Sequence, residues 1–402
     1  MSVPSFSIVN LGCKVNRAES DAVAAALIAA GGRPVDEAQA DFIVVNTCTV
    51  TGEADKKARK AVRRALKANE HARVVVTGCA AALDPASFAA LDPRIEVVAR
   101  NNLADLAGTA QAPVDSLPIG DGFRTRVSVK VQDGCDRACT YCIVHVARGR
   151  ATSVPVADVR ARVTALARAG VKETVLTGIN LGSYSSEGLS LAGLLKALLE
   201  DTYAVANAHP PRLRISSIEP FDLDDDLVDL LASSGGRICR HLHLPIQSGS
   251  TRVLEQMARG YTAEDFASLV GRLYKRVPAL SLSTDIIVGF PGETDEDFER
   301  TLDAARSCRF SRIHVFPYSK RAGTPAAERA DHVPDEVKRA RAATLRALGA
   351  QLRAEDYARR VGSVEDVLVD ERTALTESYH EIAAPLLSHP GDLVPLVLQP
   401  KS

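Results

Sequence analysis

The chain has 402 residues, and its 49 lysines and arginines nearly balance its 50 aspartates and glutamates, which gives a net charge of −1. Hydrophobic residues make up 46% and charged residues 25%, a balance typical of soluble globular proteins that excludes wholesale disorder and a collagen-like fibre. No apolar run approaches the ~18 residues of a membrane-spanning helix, and the length predicts two to four domains of roughly 100–200 residues. Since eight cysteines occur without a recognisable export signal, we expect reduced thiols in a cytoplasmic protein.

The first hundred residues alternate short β-branched runs with alanine-rich runs of helical periodicity. Buried parallel strands are predicted over 6–11, 42–45 and 74–76, and helices over 20–30 and 56–67. This βαβ alternation predicts a doubly wound α/β domain with a parallel sheet over 1–108. A stretch rich in proline and glycine follows, and it predicts a linker over 109–124.

A second alternation of strands and helices begins at Arg126. Strands are predicted over 126–131, 174–177, 213–218, 241–246, 282–288 and 312–316. Helices are predicted between them, over 156–169, 189–199, 224–231, 263–274 and 295–307. A closed parallel barrel normally has eight such units. Six units over 125–345 therefore predict an incomplete (βα)6 barrel whose open side admits a large substrate.

The last part of the chain, 346–402, is predicted to combine the end of a helix with a small all-β module. The helix is rich in basic residues, namely Lys338, Arg339, Arg341, Arg346 and Arg353. Strands are predicted beyond Gly362, over 364–369, 379–382 and 393–398. Prolines and a glycine separate these runs, as turns of an antiparallel sheet require.

Cys135, Cys139 and Cys142 form a C-x3-C-x2-C run that follows the first predicted barrel strand. Thiolates are the usual ligands of iron–sulfur clusters, and three close thiolates can hold three irons of a [4Fe–4S] cube. The fourth iron would then be open to a small molecule. His145 follows at a spacing that zinc sites also use, so a Cys3His zinc site is the alternative for this loop.

Cys13, Cys48 and Cys79 lie far apart in the sequence, but each follows a predicted strand of the N-terminal sheet. The carboxyl ends of parallel strands meet at one edge of a sheet, where open α/β sheets bind their ligands. We therefore expect these thiols to converge as a second [4Fe–4S] site with one open iron. Three buried structural cysteines are the alternative. Cys239 and Cys308 follow no such pattern and are predicted to be packed thiols.

With both cysteine triplets in place, the sequence resembles the methylthiotransferases of the radical S-adenosylmethionine (SAM) superfamily over nearly its whole length. The motifs that carry the resemblance are LGCKVN at 11–16, NTCTV at 46–50, GCD at 134–136, HLPIQSG at 243–249 and GFPGET at 289–294. The first of them is similar to the branch that acts on threonylcarbamoyladenosine in tRNA. The branches that act on isopentenyladenosine in tRNA and on a ribosomal protein are the alternatives.

The resemblance implies an enzyme that converts C2–H of N6-threonylcarbamoyladenosine at position 37 of tRNA to C2–SCH3. One SAM would donate the methyl group. A second, bound at the catalytic C-x3-C-x2-C cluster, would be cleaved to a 5′-deoxyadenosyl radical that abstracts hydrogen, while the strand-edge cluster would hold the methylated sulfur. Such an enzyme needs an electron donor protein and a sulfur source, and we expect a monomer that binds the tRNA anticodon loop.

By the same resemblance, SAM would lie across the carboxyl ends of the barrel strands. Thr177 and Gly178 match the motif that receives its amino end, and glycine allows close backbone approach. The other residues expected to contact SAM are Ser216, Ser217, Glu219, Gln247, Gly289 and Phe316. The polar residues among these have the alternative role of satisfying loop backbone. Asp285 is expected either to contact a ligand or to form an internal hydrogen bond.

The helix predicted over 56–67 has a basic face, formed by Lys56, Lys60, Arg63 and Lys67. It is expected to be either a solvated surface or a stripe that contacts RNA phosphates. Further basic residues would extend the stripe across the barrel mouth, namely Arg148, Arg150, Lys320 and Arg321.

The C-terminal β module resembles a shortened TRAM module, the small β-barrel that holds tRNA in relatives. However, 361–402 contains seven acidic residues against Arg372 and Lys401, and an acidic surface repels phosphate. We therefore expect the basic helix face and the helix over 338–360 to hold tRNA instead. A non-enzymatic RNA-binding or redox-sensing protein with zinc or a cluster is a further alternative, because fold alone does not establish function.

Overall fold

A computed structural model describes residues 4–100, 102, 125–206 and 210–400 of the chain. The N-terminal part contains strands β1 (Ser5–Asn10), β2 (Arg33–Pro34), β3 (Phe42–Thr47), β4 (Arg73–Gly78) and β5 (Ile95–Val97). Its helices are α1 (Lys14–Ala29), α2 (Gly52–Ala68), α3 (Cys79–Leu83) and α4 (Pro85–Ala89). The linker predicted over 109–124 lies outside the described residues, and the division of the chain into domains stays a prediction.

The five N-terminal strands form one parallel sheet in the order β2-β1-β3-β4-β5. Alternate residues of its inner strands pack against helices on opposite faces of the sheet. Val44 and Val75 pack with Val23 of α1, whereas Ile43 packs with Val62 of α2. The predicted doubly wound α/β architecture is therefore confirmed.

Helix α1 begins at Lys14 rather than at Ser20, where the sequence predicts its start. The additional first turns carry polar residues on their buried side, including Asn16 and Glu19. An apolar periodicity cannot reveal such a face, because the groups that it buries form hydrogen bonds instead of apolar contacts.

The central part of the chain continues the alternation of strands and helices. Its strands are β6 (Arg126–Lys130), β7 (Gln132–Asp133), β8 (Thr152–Ser153), β9 (Glu173–Thr177), β10 (Ser185–Ser186), β11 (Leu189–Ser190), β12 (Arg212–Ile215), β13 (His241–His243), β14 (Ser281–Val288) and β15 (Arg312–Pro317). Its helices are α5 (Val144–Arg148), α6 (Val156–Arg168), α7 (Leu191–Ala206), α8 (Asp225–Ser233), α9 (Thr251–Gln256), α10 (Ala263–Arg276) and α11 (Asp295–Ser307).

Six strands of this part run parallel and coincide with the six predicted barrel strands. They form two sheets, β12-β9-β6 and β13-β14-β15. Parallel bridges from Leu213 to Ile238 and from Ser217 to His243 join the two. The strands thus follow one another in chain order, as in a parallel β/α barrel. Aliphatic side chains of these strands and of the surrounding helices form one large core.

The chain ends with a long helix, α12 (Asp335–Arg360), and a four-stranded antiparallel sheet. The strands are β16 (Val364–Val369), β17 (Thr373–Thr376), β18 (Glu381–Ala383) and β19 (Leu393–Val397), in the order β18-β17-β16-β19. The predicted all-β module is confirmed, although the sequence did not predict the short β17. The predicted boundary at 345/346 lies within α12. None of the helices in the described ranges has the length and apolar character needed to cross a membrane.

A buried cluster of charges joins the barrel to the C-terminal sheet. Glu173 at the start of β9 accepts hydrogen bonds of 2.7 Å from both Arg212 and Arg214 of β12. All three side chains are at most 2% exposed. The two guanidinium groups also donate to backbone carbonyls of the C-terminal sheet, those of Asp366, Leu375, Thr376 and Glu377.

Tyr379 of the C-terminal module closes the same end of the barrel. Its ring stacks on His241, the first residue of β13, with 4.6 Å between the ring centroids. Four cations lie within 6.0 Å of the ring centroid: Lys14, Arg126, Arg214 and Arg312. Burial opposes ionisation of the phenol, but Lys14, Arg126 and Arg214 lower the pKa of Tyr379 below its usual value. The module therefore fills the amino-terminal end of the barrel.

Glu173→Gln is expected to lower the free energy of unfolding by about 3–5 kcal/mol, because two buried guanidinium groups lose their shared carboxylate. Burial alone would raise the pKa of Glu173, but Arg214 and Arg212 hold this pKa well below its usual range. The stabilisation is therefore present above pH ~4.5 and is lost at more acidic pH. Urea unfolding followed by circular dichroism measures the difference.

Glu200→Gln, on the exposed surface of α7, is the matched control and should change stability by less than about 0.5 kcal/mol. Equal unfolding midpoints for Glu173→Gln and the control at pH 7 would show that the buried cluster contributes no stability.

Candidate active site

The register of the N-terminal sheet brings three strand ends side by side. Asn10 pairs with Asn46, and Asn46 pairs with Thr77, so β1, β3 and β4 end at one edge. One cysteine follows each of these ends: Cys13, Cys48 and Cys79. This register therefore places the three cysteines after neighbouring strand ends, along one edge of the sheet, as the sequence predicts.

Local backbone geometry fixes where these cysteines stand. Cys13 directly precedes α1, and Cys79 is the first residue of α3. Gly78 between β4 and α3 has φ +94°, and a Cβ there would lie 2.3 Å from the carbonyl oxygen of Thr47. Glycine is therefore required at this turn. Burial raises the pKa of the Cys79 thiol to about 11, so ionisation at neutral pH needs a bound metal to displace the proton.

Two asparagines of the sequence motifs tie α1 to β3. Asn16 donates to the Asn46 side chain at 2.8 Å, and Asn46 donates to the Asn16 carbonyl at 3.0 Å. Asn46 also donates to Ser20 at 3.1 Å. Sγ of Cys13 lies 3.3 Å from Oδ1 of Asn16. This buried polar network holds the Cys13 turn against the strand that leads to Cys48.

The second cysteine loop follows β7 and is closed by a glycine turn. Gly134 has φ +71°, and a Cβ there would lie 1.9 Å from the Arg150 carbonyl oxygen. Cys135 N–H donates to the Gly149 carbonyl at 3.0 Å. The close approach of these two backbone segments gives the loop a fixed shape, and it requires the glycine.

Each sulfur atom of this loop accepts a hydrogen bond from an N–H group. The donors are Arg137 N to Cys135 at 3.5 Å, Val144 N to Cys142 at 3.4 Å and Arg259 Nη1 to Cys139 at 3.4 Å. Hydrogen bonds of this kind stabilise thiolates and influence the potential of the cluster that they bind. The surroundings of the three sulfurs therefore fit a bound cluster.

The spacing of the sulfurs does not suit a single ion. In the described ranges, one group of at least three His, Cys, Asp or Glu residues has all its ligand atoms within 4.8 Å of one another, and neither cysteine triplet belongs to it. Ligands of one zinc ion lie about 4 Å apart. The geometry therefore gives no support to the Cys3His zinc alternative with His145, whereas a cluster binds each cysteine through a different iron.

A buried arginine connects the two cysteine triplets. The Arg148 side chain is 0% exposed and comes from α5, the helix that follows Cys142. Its Nε donates to Sγ of Cys79 at 3.2 Å. Its remaining N–H groups donate to Glu19 at 3.0 Å and to Asp133 at 2.8 Å. Arg148 was expected to extend the possible phosphate-contacting stripe, and this expectation is wrong because the guanidinium is buried and paired.

Arg321 shows the same departure from the predicted basic stripe. It is 9% exposed, donates to Thr49 and forms an ion pair of 2.6 Å with Asp55. It therefore joins the segment after β15 to the segment after Cys48 and is not available to phosphate. Arg150 is exposed and pairs with Asp136 at 3.1 Å. The basic face of α2 is exposed as predicted, and its contact with RNA stays a prediction.

A cavity lies between the two cysteine loops. Val50 and Thr51, which follow Cys48, form one side of it, and the segment 141–144, which includes Cys142, forms another. The remaining wall comes from the carboxyl halves of barrel strands and the residues after them: Gln247, Asp285, Ile287, Phe316, Pro317, Tyr318 and Ser319. A ligand in this cavity would thus face both cysteine loops at once.

The predicted SAM contacts lie at three places. Gln247 and Phe316 line the cavity. Five others lie at or just beyond the ends of β9 and β12: Thr177, Gly178, Ser216, Ser217 and Glu219. Gly178, for example, packs against the Gln132 side chain. Gly289 stands apart, because its N–H donates to Glu293 at 2.8 Å and Lys338 of α12 packs against it.

Glu219 is engaged by the same arginine that donates to Cys139. Burial raises the pKa of Glu219, and the ion pair with Arg259 opposes this effect. Unpartnered buried polar atoms also occur at this edge and in the cavity, namely Oγ of Ser216, Oδ1 of Asn180 and Oη of Tyr318. Buried polar groups without partners are uncommon and indicate a place for a polar ligand. This edge therefore suits a ligand with polar groups, such as SAM.

Sequence reasoning missed the arginines that hold the sulfurs, Arg148 and Arg259. Each is a single charged residue in a loop or short helix, so no periodicity marks it. The one available signal was Glu19, an acidic residue within a largely apolar alanine-rich helix, since a buried carboxylate needs a cationic partner.

Cys239 and Cys308, the two cysteines outside the triplets, are 0% and 1% exposed, as expected of packed thiols.

Two family models match the chain. The model described as the radical SAM superfamily matches residues 129–305. The model described as the uncharacterized protein family UPF0004 matches residues 5–99. The matched ranges contain the C-x3-C-x2-C loop and the strand-edge cysteines, respectively. Radical SAM enzymes use a [4Fe–4S] cluster and SAM.

Curated relatives match nearly the whole chain. Threonylcarbamoyladenosine tRNA methylthiotransferase MtaB of Bacillus subtilis is 39% identical, over 91% of this chain and 85% of the relative. Its counterpart of the same name from Thermotoga maritima is 37% identical, over 90% and 86%. The tRNA-2-methylthio-N(6)-dimethylallyladenosine synthase of Carboxydothermus hydrogenoformans is 33% identical, over 94% and 90%.

Among solved structures, the radical SAM methyltransferase TsrM from Kitasatospora setae, with cobalamin and a [4Fe–4S] cluster bound, is similar in fold. Its TM-score is 0.60 at 18% identity, over 81% of this chain and 77% of that one. Together with the two cysteine loops around one cavity, the whole-length relatives show that the chain belongs to the radical SAM tRNA methylthiotransferases, enzymes that transfer a methylthio group.

Proposed function

We propose that the protein converts C2–H of N6-threonylcarbamoyladenosine at position 37 of tRNA to C2–SCH3. One SAM serves as methyl donor and a second as the source of the 5′-deoxyadenosyl radical. The cavity between the two cysteine loops carries this proposal, because a target base placed there faces both of them. Holding the reacting groups close together in one cavity is how a protein contributes to chemistry that its cofactors perform.

The proposed acceptor rests on the relatives. The first relatives, at 37–39% identity, are named for threonylcarbamoyladenosine in tRNA. Relatives named for dimethylallyladenosine in tRNA follow at 33–34% identity. Dimethylallyladenosine is therefore the second candidate acceptor. In both cases the methylthio group goes to a modified adenosine of tRNA.

We assign the catalytic [4Fe–4S] cluster to Cys135, Cys139 and Cys142, and a second one to Cys13, Cys48 and Cys79. Bound at the first triplet, the cluster supplies the electron that cleaves SAM. The chain supplies N–H donors to all three sulfurs of this triplet, and Arg148 supplies one to the second.

SAM is proposed to lie along the carboxyl ends of β9, β12, β13 and β15, near Thr177, Gly178, Ser216, Ser217, Gln247 and Phe316. The unpartnered hydroxyl of Ser216 offers a hydrogen bond to its polar groups. Gly289 would contact SAM through atoms other than its N–H, because that N–H donates to Glu293. Glu219 is proposed to lie beside SAM, where its ion pair with Arg259 holds it in place.

The substrate RNA is proposed to contact the exposed basic face of α2. Lys56, Lys60, Arg63 and Lys67 project from this face, and α2 begins directly after the cavity residues Val50 and Thr51. Phosphates of an anticodon loop that inserts its base into the cavity would thus pass near these cations. The enzyme is proposed to act as a cytoplasmic monomer that depends on an electron donor protein and a sulfur source.

In a bacterial strain that lacks 2-methylthio-threonylcarbamoyladenosine, expression of this chain should restore that nucleoside, as measured by mass spectrometry of digested tRNA. Cys142→Ala should restore none, because it removes a ligand of the catalytic cluster. Appearance of 2-methylthio-dimethylallyladenosine instead, in a strain lacking both nucleosides, would show that the second candidate acceptor is the correct one.

After anaerobic reconstitution, the protein should contain about eight irons per chain, in two clusters of four. Replacing Cys13, Cys48 and Cys79 together by alanine should halve the iron and abolish methylthiolation, while reductive cleavage of SAM to 5′-deoxyadenosine continues. The double variant Cys239→Ala/Cys308→Ala is the control and should keep all the iron, because these thiols lie outside both triplets. Loss of SAM cleavage in the first variant would contradict two separate cluster sites.

Arg148→Met should weaken iron binding at the second triplet by about 10- to 100-fold, as loss of a hydrogen bond to a metal ligand typically does. Iron content after graded chelation and the rate of methylthiolation should both fall, and SAM cleavage should fall less than methylthiolation. Arg150→Met, two residues away on an exposed side chain, is the matched control and should behave like the wild type. Equal iron retention in both variants would exclude Arg148 as a positioning residue for Cys79.

A further inference from the structure

Three side chains on neighbouring barrel strands form a compact group: His243 on β13, Asp285 on β14 and His314 on β15. Their ligand atoms all lie within 4.8 Å of one another, and in the described ranges no other group of His, Cys, Asp and Glu meets this condition. Nε2 of His243 is 3.2 Å from Oδ1 of Asp285. Asp285 and His314 are direct partners in the β14–β15 ladder.

We propose that this group binds a divalent first-row transition-metal ion such as Zn²⁺ or Fe²⁺. Two imidazoles and one carboxylate are a common ligand set for these ions. Ligands held at about 2.1 Å in tetrahedral geometry lie about 3.4 Å apart. The distance between His243 and Asp285 already matches that value, and the ligand atom of His314 lies within 4.8 Å of both.

A serine orients one of the two imidazoles. Oγ of Ser283 lies 2.9 Å from Nδ1 of His243 and 2.9 Å from Nε2 of His241. With an ion bound, Nδ1–H of His243 donates to Ser283, and the lone pair of Nε2 points to the side of Asp285. Metal-bound histidines usually have such a second hydrogen bond, which fixes the tautomer of the ring.

The charges around the group determine which ions suit it. The group offers one carboxylate, that of Asp285, and two imidazoles, each of which binds an ion through a ring nitrogen lone pair. Lys14 and Arg312 are cations close to His314, and both also lie near the Tyr379 ring. Their positive charge disfavours Mg²⁺ and Ca²⁺, which bind through several carboxylates. Ions that bind imidazole nitrogen are less dependent on net negative charge.

The location of the group connects it to the cavity between the cysteine loops. Asp285 belongs both to the group and to the cavity wall, and Gln247 lies beside it, with its N–H donating to the Asp285 carbonyl at 2.9 Å. An ion held by three protein ligands keeps a coordination position open. The proposed ion thus stands where an oxygen ligand from a bound molecule, such as a carboxylate, can complete its coordination.

An ordinary hydrogen bond between His243 and Asp285 is the competing explanation of the short distance. It requires no third residue, and it predicts no ion. The two explanations therefore differ in a measurable quantity, the amount of zinc that the protein retains.

The test uses the anaerobically reconstituted enzyme, with both cysteine triplets filled. It is incubated with Zn²⁺, desalted, and analysed for zinc and iron by mass spectrometry. The wild type should retain about one zinc per chain without losing iron. His314→Asn and Asp285→Asn should each retain at least about tenfold less zinc, because two remaining ligands hold an ion poorly. His389→Ala, at an exposed and remote histidine, should retain as much as the wild type.

Two further measurements make the outcome unambiguous. Circular dichroism and iron content must match the wild type in each variant, which shows that the barrel and the clusters are intact. If the wild type and the ligand variants retain equal zinc, or if zinc rises only as iron falls, the ion does not bind at this group and the proposal is wrong.

Discussion

The buried guanidinium of Arg148 is the constraint on which the arrangement of the site depends. A charge that is fully removed from water must be paired and hydrogen-bonded, or it costs several kcal/mol. Arg148 meets this condition with Glu19 of α1 and Asp133 of β7, and Lys130 and Arg100 add ion pairs to the same carboxylates. Burial would raise the pKa of Asp133, but these cations hold it at about 2. The N-terminal sheet and the barrel therefore meet in one fixed way.

The position of the cavity follows from that docking. The strand ends of the N-terminal sheet face the carboxyl ends of the barrel strands, and each sheet places its ligand-binding edge toward the other. Arg148 joins the two edges on one side, and Arg321 joins them on the other through Asp55. A base bound between them would be surrounded by elements of both parts of the chain. The two cysteine loops thus border the same cavity.

Strand and helix positions were predictable because the sequence carries strong periodicity. All six barrel strands and the three inner N-terminal strands appear where the β-branched runs predict them. The contacts of single charged residues were not predictable in this way. Arg148 and Arg321 look like exposed cations in the sequence, and only tertiary packing shows that they are buried partners of Glu19 and Asp55. The first turns of α1 escaped prediction for the same reason, since their buried face is polar.

The C-terminal sheet has a consequence for how shortened forms of the enzyme must be interpreted. Its carbonyls and Tyr379 satisfy Arg212, Arg214 and neighbouring cations at the amino-terminal end of the barrel. A truncation near residue 361, the natural way to ask whether this tail recruits RNA, would leave those guanidinium groups facing an empty space. Lost activity in such a deletion would report on the integrity of the barrel. The tail's role in RNA affinity is therefore better addressed by changing its outward-facing acidic residues, which leaves its inner face in place.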